Sequence, residues 1–241
     1  MLIEEHSNFR EETGFISEAE RLELKQLLLE LKDDWTPIYP AEGNFGSAAI
    51  VVKGILEKLA KAGIGFYHLG DASYTLKCGD KSVNDINFEV RDKLVEKAGW
   101  IFQRVCDKVT EITGVPSKLF GPREFTSPGF HISTVPFDVP GAAALHQDYS
   151  VTRYIPDIDK STITSLIVLI EEPTVGAFLE WEDTSRNTLQ HYYYKYGSLH
   201  MFRGSLMHRV GSYETKLGEY RMTLQCHMYY DKKQGCNFIY F

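Results

Sequence analysis

At 241 residues, 27.6 kDa and 43% hydrophobic content, the chain has the length and composition of one ordinary globular domain, residues 1–241, and is not a disordered or fibrous sequence. Its net charge of −7 and pI of about 5.6 supply no basic footprint for nucleic acid or for an anionic membrane, so a small-molecule partner is expected. Cys78, Cys106, Cys226 and Cys236 lack the spacing of a zinc site and the density of a secreted disulfide scaffold; an acidic start, Met1 to His6, and the absence of an apolar run of roughly 18 residues point to a soluble cytoplasmic protein.

In chain order, Ser17-Glu18-Ala19-Glu20 has the form of a capping box and predicts a helix. Leu24, Leu27, Leu28, Leu31 and Trp35 give that helix one apolar stripe, and Pro37 and Pro40 stop it. A second helix is expected from about Ser47 to the stop at Gly63. A third, long and amphipathic, is expected from Ser82, with Asp85 as its capping partner, through Val90, Leu94, Ala98, Ile101, Phe102, Val105, Val109 and Ile112 to Gly114. Between them, Gly63 to Asp80 reads as a loop or one or two short strands.

Beyond Gly114, β-branched and aromatic residues rise, and the segments shorten between Pro, Gly, Asn and Asp clusters. Strands are expected at Phe130 to Val135, Ala142 to Val151, Ile163 to Ile170, Ala177 to Trp181, Gln190 to Tyr194, Ser198 to Phe202, His208 to Tyr213 and Tyr220 to Tyr230. A mostly helical part, 1–116, followed by a run of short strands, 117–241, predicts a mainly β protein of jelly-roll, cupin-like type with its N-terminal helices packed on one sheet.

Leu145-His146-Gln147-Asp148 is the informative stretch within those strands. Alternation in a strand sends His146 and Asp148 to one face. His208, opening a later strand, offers a third ligand. Two imidazoles and one carboxylate make a facial set with open positions, the arrangement used by non-haem Fe(II) oxygenases, whereas a closed zinc site uses four protein ligands. Arg221 follows, with Thr223 on the same strand face; a guanidinium binds a carboxylate through two parallel hydrogen bonds, and a hydroxyl can add a third.

From about Phe120 to Tyr230 the chain resembles the Fe(II)/2-oxoglutarate-dependent oxygenase superfamily, through His146-Gln147-Asp148, His208 and Arg221-Met222-Thr223 in that order. Ser165 to Ile170 and Gly176 to Trp181 are similar to that family's strands between the metal ligands; Gly197-Ser198 departs from its frequent Gly-Asp. The resemblance implies a double-stranded β-helix core, Fe(II) held by His146, Asp148 and His208, and 2-oxoglutarate with its distal carboxylate at Arg221 and Thr223. It further implies O2 as co-substrate and a hydroxylase or other dioxygenase reaction that oxidises a C–H bond of a small metabolite, with release of succinate and CO2. Relatives that halogenate carry a small residue in place of the carboxylate, so Asp148 favours oxygenation.

Other residues carry two readings. His131, sharing strand parity with Ser133, is either a satisfied core histidine or a polar contact to 2-oxoglutarate or substrate. Tyr149, Arg153 and Arg203 flank the ligands and either contact an acidic substrate group or stand outside the site. Gln225 and His227 share the parity of Arg221 and Thr223 and could line the interior. Tyr192, Tyr193, Tyr194 and Tyr196 wall a pocket or form a subunit contact, the chain being expected as a monomer or homodimer. Two further readings of the same residues stand beside the oxygenase: a cupin-like metal dioxygenase without 2-oxoglutarate, and a non-catalytic barrel binding a metal or a small acid.

Overall fold

The computed structural model describes residues 7–38, 49–73, 87–120, 125–134, 145–155, 157–176, 178–213, 215–216 and 218–241, with only the backbone at 49–53 and 56. Helix α1 spans Glu18–Glu30, α2 Ala49–Lys61 and α3 Phe88–Thr113. Ser17 caps α1 as expected: its hydroxyl accepts from the Glu20 N–H, and Glu20 returns to the Ser17 N–H at 2.8 Å. Asn87 caps α3 by accepting from the Val90 N–H at 3.2 Å, while Ser82 and Asp85, the expected start, lie outside the described residues. Gly114 closes α3 in the left-handed conformation, φ 67°, with its N–H on the Thr110 carbonyl.

The strands are β1 Phe9–Glu12, β2 Thr36–Pro37, β3 Phe66–Leu69, β4 Ser117–Leu119, β5 Gly129–Ser133, β6 Thr164–Glu171, β7 Leu179–Asp183, β8 Thr188–Tyr192, β9 Leu199–Arg203, β10 His208–Val210, β11 Arg221–Asp231 and β12 Cys236–Tyr240. They form two sheets. The larger has the order β1-β9-β6-β11-β5-β3-β2, with β12 against the second half of β11 and β4 against β12. The smaller has the order β10-β7-β8 and is extended by an antiparallel bridge between His146 and His208. From β5 onward the chain passes repeatedly between the sheets. The resulting β9-β6-β11-β5 order, facing a smaller sheet, is that of a double-stranded β-helix.

Alternation then divides the side chains of the large sheet. Leu166, Val168, Ile170, Met222, Leu224, Cys226, Phe130 and Ile132 join Leu24 and Leu28 of α1 and Leu94, Ala98, Ile101, Phe102, Val105 and Val109 of α3 in one buried core. Each fully buried side chain of this size contributes about 1.5–3 kcal/mol, so the two amphipathic helices are held on this one sheet face, as expected from their stripes. The opposite face meets the small sheet and its flanking turns through Ile167, Leu169 and Phe202 on one side and Leu179, Tyr194 and Leu206 on the other. That interior also carries Ser165, Arg221, Thr223, Gln225 and His227, which alternate with the core residues.

Several expectations need correction. The strand expected over Ala142 to Val151 is absent among its described residues: His146 makes only an isolated bridge, and Ser150–Arg153 is a 3-10 turn. The physical reason is that the Tyr149 N–H turns back to the Gln147 carbonyl at 2.9 Å, which ends any ladder. Strands β1, β2, β4 and β12 were not anticipated. β1, Phe9-Arg10-Glu11-Glu12, is short and mostly charged, and pairs with β9 as an outer strand, where one side of its backbone needs no partner. Cys106, Cys226 and Cys236 are free thiols and buried; Cys78 lies outside the described residues. No described helix is long and apolar enough to cross a membrane.

Candidate metal centre

His208 opens β10 opposite Trp181 of β7, and His146 is clamped to it by reciprocal backbone bonds of 2.9 and 3.0 Å. Asp148 is fixed differently. Its N–H donates to the Gly204 carbonyl at 2.9 Å, and the Gly204 N–H donates to the Ile163 carbonyl at 2.8 Å, so the turn between β9 and β10 ties the carboxylate segment to the start of β6. The Gln147 side-chain amide donates to the Ser205 carbonyl at 2.7 Å, facing away from the cluster as the sequence suggested. One ligand atom from each of His146, Asp148 and His208 lies within 4.8 Å of the others. The juxtaposition expected from strand parity is therefore present, although a bend and a single bridge produce it.

The electrostatics suit a cation. The His208 ring donates from Nδ1 to the Leu206 carbonyl at 2.8 Å, which leaves the Nε2 lone pair facing Asp148 Oδ2 at 3.3 Å. Phe202 packs edge-on against this ring at 4.8 Å, and the His146 ring lies 4.5 Å away. Burial holds His208 below its ordinary pKa, against the opposing pull of Asp148, so the ring is kept as a neutral ligand. Burial would raise the Asp148 carboxyl, but the surrounding histidines and a hydrogen bond from Ser165 outweigh it and keep the group low and ionised. His146 is the open side of the cluster, its side chain 47% exposed against 8% for Asp148 and 4% for His208.

Arg221 and Thr223 project from β11 into the same interior. Both are buried, and Arg221 Nε and Thr223 Oγ1 are each without a hydrogen-bond partner. A buried unpaired donor costs about 1–3 kcal/mol, so two of them on one strand face mark a place built for an acceptor. The Tyr194 hydroxyl is a third such atom; it feels both the Arg221 guanidinium and the Asp148 carboxylate. Tyr213 stands against Arg221, guanidinium to ring centroid 5.9 Å, and donates its hydroxyl to Ser133.

His131 pairs with Thr223 on one side and His68 on the other. Burial first, then the neighbouring charges, push it down to about 3, and it hydrogen-bonds to Gln225. It therefore stands as a neutral, partnered histidine on the interior wall. Tyr149 lies under Lys160, whose ammonium is 5.1 Å from the ring centroid, and packs in the cluster around Tyr229 and Phe238. Arg153 is exposed in the 3-10 turn. Arg203 pairs with Thr164 on the strand face opposite that of Phe202 and Ser165. The structure thus gathers His146, Asp148 and His208 into one cluster and puts Arg221, Thr223 and His131 on the interior wall.

Two residues reach the cluster without having been singled out for it. Ser165 donates to Asp148 Oδ2, and His227 Nδ1 lies 3.7 Å from the same oxygen. Strand parity with Arg221 pointed His227 inward. Ser165 had a weaker signal, the second of two hydroxyls, Thr164-Ser165, that open a strand apolar from Leu166 to Ile170.

No protein-family model matches the chain, and no curated protein sequence matches it. Solved structures do. A prolyl hydroxylase from Trichoplax adhaerens, in complex with a hypoxia inducible factor peptide fragment, aligns over 95% of this chain and 86% of its own at 12% identity and a TM-score of 0.48. A Pseudomonas putida prolyl-4-hydroxylase aligns over 93% of both chains at 11% identity and 0.42. HygX from Streptomyces hygroscopicus, with nickel, 2-oxoglutarate and hygromycin B bound, aligns over 92% of this chain and 82% of its own at 12% identity and 0.45. At such identities and scores, these likenesses transfer no activity to this chain.

Proposed function

We propose that this chain is an Fe(II)- and 2-oxoglutarate-dependent oxygenase that oxidises a C–H bond of a small metabolite. One observation carries the reading: an open cluster of two histidines and one carboxylate shares its interior with the buried, unpartnered Arg221 Nε and Thr223 Oγ1. His146, Asp148 and His208 would hold the metal, a donor set of imidazole and carboxylate that suits Fe(II). Arg221 would receive the distal carboxylate of 2-oxoglutarate, with Thr223 adding a neutral donor. Iron and 2-oxoglutarate supply the oxidising chemistry when bound: 2-oxoglutarate, O2 and substrate become succinate, CO2 and hydroxylated substrate.

The protein's own part is orientation and exclusion of water. Phe202, Ile167, Leu169 and Leu206 make the interior apolar around the polar groups, which strengthens every charge interaction there. The exposed edge of His146 marks the side from which a substrate reaches the cluster. An acidic chain with no basic footprint favours a free small molecule over nucleic acid.

Anaerobic addition of Fe(II) and then 2-oxoglutarate tests the site directly. The expected result is a visible metal-to-ligand charge-transfer band, followed on admission of O2 by succinate release that a screened metabolite accelerates. Metal binding with neither band nor succinate would instead support a metal-binding barrel or a dioxygenase without 2-oxoglutarate.

A further inference from the structure

We infer that Ser165 and His227 form a positioning relay that fixes the Asp148 carboxylate for metal binding; the inference rests on the metal-centre reading above. Ser165 on β6 and His227 on β11 are direct antiparallel partners at the middle of the large sheet, both buried and both facing the interior. The Ser165 hydroxyl donates to Asp148 Oδ2. That commits its proton, so its oxygen can only accept from the His227 ring, whose Nδ1 lies 3.1 Å away. The order of groups is His227 to Ser165 to Asp148, with the hydroxyl in the middle. The serine proton faces the Asp148 carboxylate and not an imidazole nitrogen, so the trio is not ordered as a serine nucleophile with a histidine base, and the serine serves to hold the carboxylate.

Asp148 needs such support. It sits in a bend, outside any ladder, and among the described residues its backbone is tied to the rest of the protein through its bond to Gly204. A ligand carried on such a segment gains its orientation from side-chain bonds, and here those bonds come from paired residues of two central strands. Outer partners of this kind are worth roughly 10–100-fold in metal affinity.

The test is calorimetric and optical titration of the metal-free protein with Co(II), without O2 or 2-oxoglutarate. Ser165→Ala is expected to weaken Co(II) binding about 10–100-fold and to alter the cobalt d–d absorption. Ser165→Thr, which keeps the hydroxyl, is expected to restore both. His227→Gln provides a second route should Ser165→Ala fail to fold, with weaker binding and an altered spectrum expected again. Asp148→Ala and His208→Ala are the reference variants. If they leave Co(II) binding unchanged, the metal centre itself is wrong. If they abolish it while folded Ser165→Ala and His227→Gln bind Co(II) with wild-type affinity and spectrum, the relay alone is overturned.

Discussion

Arg221 and Thr223 stand two residues apart on one face of β11, and each presents a buried polar atom without a partner to the interior shared with the metal cluster. The strand register with β6 shifts between Met222 and Thr223, yet both side chains remain inside.

Their proposed role separates two binding events. Arg221→Ala is expected to raise the KM for 2-oxoglutarate about 10–100-fold, the size of a lost charge-assisted hydrogen-bond pair, with Fe(II) affinity within about twofold of wild type. Thr223→Val, which removes one neutral donor of similar shape, is expected to raise it about fivefold. Initial rates of succinate formation against 2-oxoglutarate concentration, beside a metal titration, measure both.

Removing the carboxylate charge acts on the metal itself. Asp148→Asn keeps the shape of the side chain but presents a neutral group to the cation, and is expected to weaken Fe(II) binding by at least about tenfold and to reduce succinate release to background. Metal content after equilibrium dialysis, set beside the succinate assay, separates loss of metal from loss of turnover.

Gly204 is the hinge between packing and site. A Cβ there would lie 2.6 Å from Ile163 Cγ2 and 3.1 Å from the Ile163 carbonyl oxygen that its own N–H engages. Gly204→Ala is therefore expected to destabilise the fold by about 1–3 kcal/mol and, because the Gly204 carbonyl accepts from Asp148, to weaken metal binding as well. Chemical denaturation and Co(II) titration of the same sample read the two effects.

Acid should destabilise the metal-free protein well above the carboxylate range. Burial, with the neighbouring positive charges, holds His131 down at about 3, and burial also lowers His68 and His200. Each is neutral when folded, while the unfolded chain takes up protons near pH 6.5. The stability from these groups is therefore present above that pH and is lost as the pH falls below it, at about 1 kcal/mol per pH unit for His131. Thermal denaturation between pH 7.5 and 5.5 should show Tm falling with pH, and His131→Gln should flatten the slope.

The sequence alone determined the elements whose patterns are local. The Ser17 capping box, the stripes of α1 and α3, the Gly114 stop and the runs that became β6 and β11 all follow from periodicity and capping chemistry, which need no distant partner. The order His146, Asp148, His208, Arg221, Thr223 was legible too, because those residue types at those steps belong to few kinds of site. What tertiary structure alone decided is how they meet. β1 and β4 have little pattern of their own and become strands only through β9 and β12, which offer them open edges. Asp148 reaches the two histidines through a bend anchored on Gly204, where parity along a strand had been the expected route. Ser165 and His227, 62 residues apart, become neighbours of Asp148 only once β6 and β11 pair. A contact between distant strands depends on register, and register is set by the packing of the whole sheet.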